Sequence, residues 1–188
     1  MSGSEKVVTD WRSRTLEQGE AWGLEYIVLG LDAGHRCGYV RVPEDHPWFG
    51  LDHADAVDGR KMPRTDRGHL DFDRTAEWPD YVDRVEGRLD AHGGITYAGK
   101  RPGEDCAEGW WFGFDCAHLY DRKDPDLIGE KQSAFEAEYP FPDDPCSEIR
   151  TTEYVADECK QLAAQLQAAR VAFFDNRTEY ICKDGTVE

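Results

Sequence analysis

The chain has 188 residues, which is enough for one domain with its own hydrophobic core. Its 39 acidic residues outnumber 22 basic residues and give a net charge of −17. This charge excludes a general binder of nucleic-acid backbones and disfavours docking to an anionic membrane, although it permits binding to a basic protein surface. Aromatic residues make up 12% of the chain, a share that argues against a disordered protein.

The sequence also carries signals about location. No apolar segment approaches the roughly 20 residues of a membrane-spanning helix. The N-terminal sequence MSGSEKVVTDWRSR has no hydrophobic signal-peptide core, so the predicted location is the cytoplasm. The cysteines show no CxxC pair and are interpreted as free, mostly buried thiols.

The first half of the chain predicts a hairpin followed by loops. Residues 1–20 are polar and are interpreted as a lead-in to the domain. The segments LEYIVLGL at 24–31 and RCGYVRV at 36–42 predict two strands joined by a four-residue connection. Residues 43–80, rich in Pro and Asp, predict long surface loops with one short helix near 75–83.

The second half predicts two further strand regions and a helix. Residues 84–98 read as strand–turn–strand or as one strand with a bulge, broken at Gly93-Gly94. The aromatic segment GWWFGFDC at 109–116 predicts a central strand. Residues 119–150 return to loop, with a helix at 128–138.

The clearest helix is predicted at 152–169. Its apolar residues recur at spacings of three and four, which is the pattern of a buried stripe: Val155, Cys159, Leu162, Leu166 and Ala169. Residues 171–188 are expected to form a tail or a short hairpin. The predicted fold is therefore α+β: a single domain at 21–170, with a small antiparallel sheet of four to five strands, this helix on one face, and long irregular loops.

One candidate ligand-binding segment begins at His92. Gly93 and Gly94 allow a positive φ or a close approach to a ligand, and exposed N–H groups in such a turn can hold an anion. Thr96 follows with a hydroxyl group. The alternative is a β-bulge with a structural histidine.

A second candidate segment is Asp115-Cys116-Ala117-His118, with Asp121 three residues further on. On an extended chain Cys116 and His118 point to the same face, as two ligands of one zinc ion would. His92 or Asp121 could complete such a site. The spacing is not a zinc signature, so no cofactor is predicted outright and zinc is the ion that these ligands would suit.

Cys116 also allows a second chemistry. A Cys–His nucleophile pair with His92 or His118, oriented by Asp115 or Asp121, would support covalent hydrolysis. The alternative is that Cys116 is a small buried hydrophobe at a strand end. In the segment His46-Pro47-Trp48-Phe49-Gly50, Trp48 is either a hydrophobic plug or a stacking platform for a flat ligand near His92 and His118.

Four segments together resemble a group of small phage and prophage proteins. They are GYVRVPEDHPWFG, HGGITYAG, WWFGFDCAH and EYVADECKQLAAQL, and they span roughly residues 38–166. The resemblance implies an accessory phage protein in the host cytosol, with countering of host defence as a role. It marks His92–Thr96 and Asp115–His118 as family segments without assigning them an activity.

Three functions are compatible with these patterns. The favoured one is a non-enzymatic binder of a small polar or nucleotide-like ligand, or of a host protein, with His92, Gly93, Gly94, Thr96, Asp115, His118 and Trp48 at the site. The second is a zinc- or Cys-dependent hydrolase that uses His92, Asp115, Cys116 and His118. The third is an acidic mimic of DNA, although interleaved Arg and Lys residues argue against a clean acidic stripe.

Overall fold

The structure is a computed structural model that describes residues 13–66, 71, 82–103, 106–138 and 145–183. Its strands are β1 (Ser13–Ala21), β2 (Leu24–Leu31), β3 (Arg36–Val42), β4 (Tyr97–Gly99), β5 (Trp110–Asp115), β6 (Asp121–Arg122) and β7 (Glu148–Ile149), and its helices are α1 (Glu130–Glu138) and α2 (Thr152–Lys183). Five strands form one antiparallel sheet in the order β1-β2-β3-β5-β4, and α2 packs against it. The predicted α+β fold is confirmed.

The centre of the sheet agrees closely with the sequence analysis. β2 and β3 form the predicted hairpin with a four-residue connection, and β5 pairs with β3 along its whole length. The sequence pattern of these strands was strong because they are buried on both faces. Val28, Val40 and Phe112 face α2, whereas Tyr39 and Trp111 belong to a second apolar cluster on the opposite face.

β1 corrects the interpretation of residues 1–20 as a lead-in, because residues 13–21 form an edge strand of the sheet. This strand has only one neighbour and no fully buried residue, so its polar sequence lacks the alternation that predicts a strand. A two-residue turn joins it to β2. Trp22 and Gly23 both have positive φ, 55° and 77°, as in the tight turns typical of hairpins.

Residues 84–98 differ from the prediction of strands. The segment contains a short 3-10 helix at Glu86–Arg88 and a turn at 92–93, and only Tyr97–Gly99 pairs with β5. Polar and glycine residues leave it without the apolar run that a longer strand needs. The helix expected at 128–138 is present as α1. Of the helix expected near 75–83, residues 75–81 lie outside the described part of the chain.

Helix α2 carries the apolar stripe that the spacing predicts. Val155, Cys159, Leu162 and Leu166 are each 0% exposed. Gly38 of β3 allows α2 to approach the sheet closely, because a Cβ at Gly38 would lie 2.6 Å from Cys159 Sγ. The helix continues to Lys183, so the tail or hairpin expected from residue 171 is wrong for residues 171–183, and the helix-favouring alanines at 168, 169 and 172 agree with this continuation. Within the described residues, no helix is long and apolar enough to cross a membrane.

Candidate functional site

The candidate site lies where three separate segments meet at one end of the sheet. β4 and β5 are antiparallel, with Tyr97 opposite Gly113, so the turn before β4 lies beside the segment that follows β5. His92 belongs to that turn, and His118 and Asp121 follow β5. The N-terminal end of α2 completes the group. We call His92, His118 and Asp121 the histidine–aspartate cluster.

The cluster brings three possible metal ligands together. One ring nitrogen of each histidine and one carboxylate oxygen of Asp121 all lie within 4.8 Å of one another. Asp121 Oδ2 is 2.7 Å from His92 Nε2 and 3.2 Å from His118 Nδ1, and it accepts a hydrogen bond from the His118 N–H at 3.0 Å. The two imidazole rings lie edge to face, with their centroids 5.3 Å apart.

Asp121 is an ionised carboxylate in a buried position. Its side chain is only 1% exposed. Burial raises the pKa of Asp121, but hydrogen bonds from Arg150 Nε at 2.8 Å, from His92 and from the His118 N–H outweigh it and lower the pKa to about 2. The carboxylate is therefore charged over the whole physiological range and available as a ligand.

Helix α2 orients His92 through two side chains. Tyr154 Oη lies 3.0 Å from His92 Nδ1, and Glu158 accepts the backbone N–H of His92 at 2.9 Å. A tyrosine hydroxyl both donates and accepts, so Tyr154 can satisfy either neutral tautomer of the ring. If His92 Nε2 released its proton to a metal, Nδ1–H would donate to Tyr154, as the outer nitrogen of a ligating histidine commonly does.

Gly93 and Gly94 are needed for different reasons. Both have positive φ, 67° and 92°. A Cβ on Gly93 would lie 1.9 Å from His118 Cε1, whereas a Cβ on Gly94 would meet nothing within 4 Å. Gly93 therefore leaves room for the His118 ring. The Gly94 N–H bonds Ala91 O at 2.9 Å within its own turn, which takes this donor away from the anion site expected from the sequence.

Cys116 does not join the cluster. The strand ends at Asp115, and the chain bends at 116–120, so the alternation that placed Cys116 and His118 on one face no longer holds. Cys116 is 2% exposed and packs in the main core. Burial, followed by the charges of Asp121 and Asp115, raises the pKa of its thiol. Its environment disfavours the thiolate that a nucleophile or a metal ligand needs.

Two other predicted residues hold the strand end together. Thr96 Oγ1 donates to Asp115 Oδ2 at 2.8 Å, and the Ala117 N–H donates to Asp115 Oδ1 at 3.1 Å. These bonds fix the bend that follows β5. Thr96 and Asp115 thus adjoin the cluster in sequence but are not part of its set of three ligand atoms within the described residues.

Trp48 lies away from the cluster, near the middle of α2. It is 8% exposed and stacks edge to face on His46, whose Nε2 is 3.0 Å from Leu166 O. Leu166 is about 18 Å along the helix from Tyr154 at the usual rise per residue. Of the two interpretations of Trp48, this position agrees with the hydrophobic plug and not with a platform over His92.

Sequence reasoning missed the residues that surround the cluster. Arg150 binds Asp121 Oδ1 and lies over the Tyr154 ring, with its Cζ 5.2 Å from the ring centroid. Tyr154 and Glu158 are four residues apart and so share one face of α2. That spacing was the signal available in the sequence, but the predicted stripe covers only the apolar face of the helix.

Arg36 fixes the start of α2 against the sheet. Its guanidinium donates to Thr152 Oγ1 at 3.0 Å, to Arg150 O at 3.1 Å and to Asp124 Oδ2 at 2.6 Å. Thr151 caps the helix by accepting the Tyr154 N–H at 3.2 Å. Together these bonds place Arg150 and Tyr154 next to Asp121.

Comparison with known proteins adds no relative to this description. No family model, curated protein or solved structure matches the chain. The resemblance to small phage proteins therefore stays a prediction, and the function must be argued from the geometry alone.

Proposed function

We propose that the protein is a metal-dependent hydrolase whose centre is the histidine–aspartate cluster, with zinc as the expected ion. The observation that carries this proposal is the convergence of three ligand atoms from His92, His118 and Asp121 within 4.8 Å. Two histidines and one carboxylate form a ligand set of catalytic zinc sites and of other open transition-metal sites. Among the sequence-based hypotheses, the geometry supports the zinc-dependent one.

The surroundings of the cluster suit a metal. Ligating side chains need hydrogen-bond partners that hold their orientation. Tyr154 supplies one for His92, and Arg150 supplies one for Asp121. The short contacts of Asp121 Oδ2 with both histidines are the positions at which a metal ion would replace ring protons, since ligating imidazole must be neutral and the carboxylate ionised.

The cluster also has the access that catalysis needs. The His118 side chain is 38% exposed, whereas that of His92 is 13% exposed. Three protein ligands leave a coordination position for water or substrate, and a metal there would supply Lewis acidity and activate water. Arg150, with a 23% exposed side chain, is the neighbouring cation that would attract an anionic substrate group.

Zinc titration of the purified protein tests the centre. After removal of bound metal with a chelator, the protein should take up one equivalent of zinc, measured by competition with a chromophoric chelator. His118→Ala and Asp121→Asn should lose this uptake. His53→Ala is the matched control, because His53 bonds Glu86 at 2.9 Å outside the cluster and its loss should leave the stoichiometry unchanged.

Hydrolysis is tested separately on the zinc-loaded protein with a panel of esters and phosphate mono- and diesters. Turnover should require zinc and should disappear in His118→Ala but not in His53→Ala. Failure to bind zinc, or equal binding by the His118→Ala variant, overturns the metal centre. Stoichiometric zinc without turnover of any substrate in the panel would instead contradict the hydrolase and favour a structural or binding role.

A further inference from the structure

A second feature lies at the opposite end of β5 from the histidine–aspartate cluster. An open groove with a volume of about 790 Å³ is lined by residues that include Arg41, Phe49, Lys100, Arg101 and Trp110. We call it the Trp110 groove. Its volume falls within the roughly 300–1,000 Å³ of small-molecule sites. Trp110 begins β5 and Asp115 ends it about 17 Å further along the strand, and the cluster lies beyond Asp115.

The groove gathers cations on an acidic chain. Its described lining contains three cations, Arg41, Lys100 and Arg101, and two carboxylates, Glu44 and Glu108. The whole chain carries a net charge of −17. Cations gathered in a concave surface offer an anionic ligand charge-assisted hydrogen bonds at this place.

The two arginines are held in place without using all their donors. Arg41 pairs with Glu25 through Nε at 3.2 Å and donates from Nη1 to Glu108 O at 3.2 Å. Arg101 donates from Nε to Cys106 O at 2.9 Å. A guanidinium has five N–H donors, so within the described residues each arginine keeps donors for an anion. Gly109 fits against the Arg41 stem, where a Cβ would lie 2.7 Å from Cδ.

The groove also presents two aromatic rings. Phe49 is 37% exposed, and its ring lies 6.2 Å from that of Trp110, centroid to centroid. Trp110 Nε1–H donates to Leu51 O at 2.9 Å, which fixes the plane of the indole. Fixed aromatic faces next to cations are the elements that bind a base and its phosphate.

We infer that the Trp110 groove binds a nucleoside phosphate, with the base stacked on the exposed ring of Phe49 beside Trp110 and the phosphate held by Lys100 and the two arginines. Glu44 and Glu108 would accept hydrogen bonds from ribose hydroxyls, as carboxylates do in dinucleotide sites. The nucleotide-like ligand that the sequence suggests for His92 and Trp48 would thus lie in the Trp110 groove. Its binding there does not depend on the proposed metal centre.

Calorimetric titration with AMP, adenosine and inorganic phosphate tests the inference. AMP should bind saturably and at least about tenfold more tightly than adenosine or phosphate, because only AMP combines stacking with charge-assisted bonds. Phe49→Ala and Lys100→Gln should each weaken AMP binding about tenfold. Thermal melting of both variants checks that they are folded.

Two controls keep the test specific. Lys160→Gln removes the same charge from α2, where Lys160 pairs with Asp157 at 2.8 Å, and should leave AMP affinity unchanged. His118→Ala should also bind AMP as the unaltered protein does. The inference is overturned if AMP shows no saturable binding, if adenosine binds as tightly as AMP, or if Lys160→Gln weakens binding as much as Lys100→Gln.

Discussion

Two regions of the molecule each contain a histidine and an aspartate with little exposure, and only one of them places histidine rings against its aspartate. In the loop at 43–66, Asp55 has a side chain that is 1% exposed, accepts the backbone N–H groups of Met62 and Asp52, both at 2.8 Å, and pairs with Lys61 Nζ at 3.1 Å. In the histidine–aspartate cluster, the Asp121 side chain is equally buried but lies against side chains of His92, His118 and Arg150.

The histidines repeat this contrast. His46 accepts the Trp48 N–H at Nδ1 and lies 3.0 Å from Leu166 O at Nε2, so both ring nitrogens are used by the backbone. The ring nitrogens of His92 instead meet Tyr154 and Asp121. Side chains that hydrogen-bond backbone atoms stabilise a loop, and their removal leaves those backbone atoms without a partner. A histidine and a carboxylate that hydrogen-bond each other can instead exchange the shared proton for a metal ion.

The largest expected effect is on the free energy of unfolding, when each of the two aspartates is replaced. Asp55→Ala should lower the free energy of unfolding by about 3–5 kcal/mol, because it strands the N–H groups and cations that this buried carboxylate serves. Zinc should still stabilise the remaining folded protein. Asp121→Ala should also be destabilised, but zinc should add nothing to it. Urea denaturation with and without zinc measures both quantities.

If Asp55→Ala proves too unstable to purify, Asp55→Asn keeps one acceptor oxygen and carries the same comparison. Zinc-dependent stabilisation that vanished in an Asp55 variant would show that the 43–66 loop and the cluster are not independent, and the contrast between them would fail.

The next largest effect should be a dependence of stability on pH that comes from His46. Burial lowers the pKa of His46 to about 4, although the bond to Leu166 O acts in the opposite direction. The unfolded chain takes up this proton near pH 6.5, so stability should fall as the pH drops from about 6.5 towards 4 and stay constant above that range. The loss should approach roughly 3 kcal/mol. Denaturation of the protein and of His46→Gln at pH 7 and pH 4.5 isolates this contribution, and equal losses in both would refute it.

Local sequence patterns predicted the strands and the helix whose own residues determine their burial. β2, β3 and β5 carry runs of apolar and aromatic residues, and α2 carries a helical stripe, so their periods and burial were readable from the chain. β1 was not, because its burial comes from pairing with β2 and not from its own composition. The helical continuation beyond residue 170 was missed because its apolar residues do not extend the core stripe. Val171, Phe173 and Phe174 are exposed there.

The candidate site was predictable only in part. His92, His118 and Asp121 stood out as residue types that bind metals, and the sequence analysis placed them in one possible zinc site together with Cys116. The exclusion of Cys116 depended on a bend immediately after β5, which the period-two pattern of a strand does not contain. The prediction of Arg150, Tyr154 and Glu158 as neighbours of the cluster would require the rotation of α2 about its axis and its position over the sheet. Arg36 and Gly38 help to determine both.

Gly93→Ala should lower both zinc affinity and stability. Positive φ costs a non-glycine residue about 1–3 kcal/mol, and the added Cβ would also displace the His118 ring. Zinc affinity should fall about 10- to 100-fold, the range for disturbed support of a ligand. Gly94→Ala is the matched control, since it has the same backbone strain but no atom within 4 Å of its Cβ. Comparable zinc loss in both variants would assign the effect to strain in the turn and not to His118.

The smallest expected effect comes from Tyr154→Phe, which removes one hydroxyl group. Losing the bond to His92 Nδ1 should cost about 1 kcal/mol of unfolding free energy. It should also weaken zinc about tenfold, because the ring nitrogen opposite the metal loses its acceptor. Tyr120→Phe makes the same chemical change at a 56% exposed side chain beside the cluster and should alter neither quantity. Chelator competition and urea denaturation measure the pair. If Tyr154→Phe changed stability but left zinc affinity intact, Tyr154 would be a packing residue like His46, and the boundary between the two regions would move to exclude it.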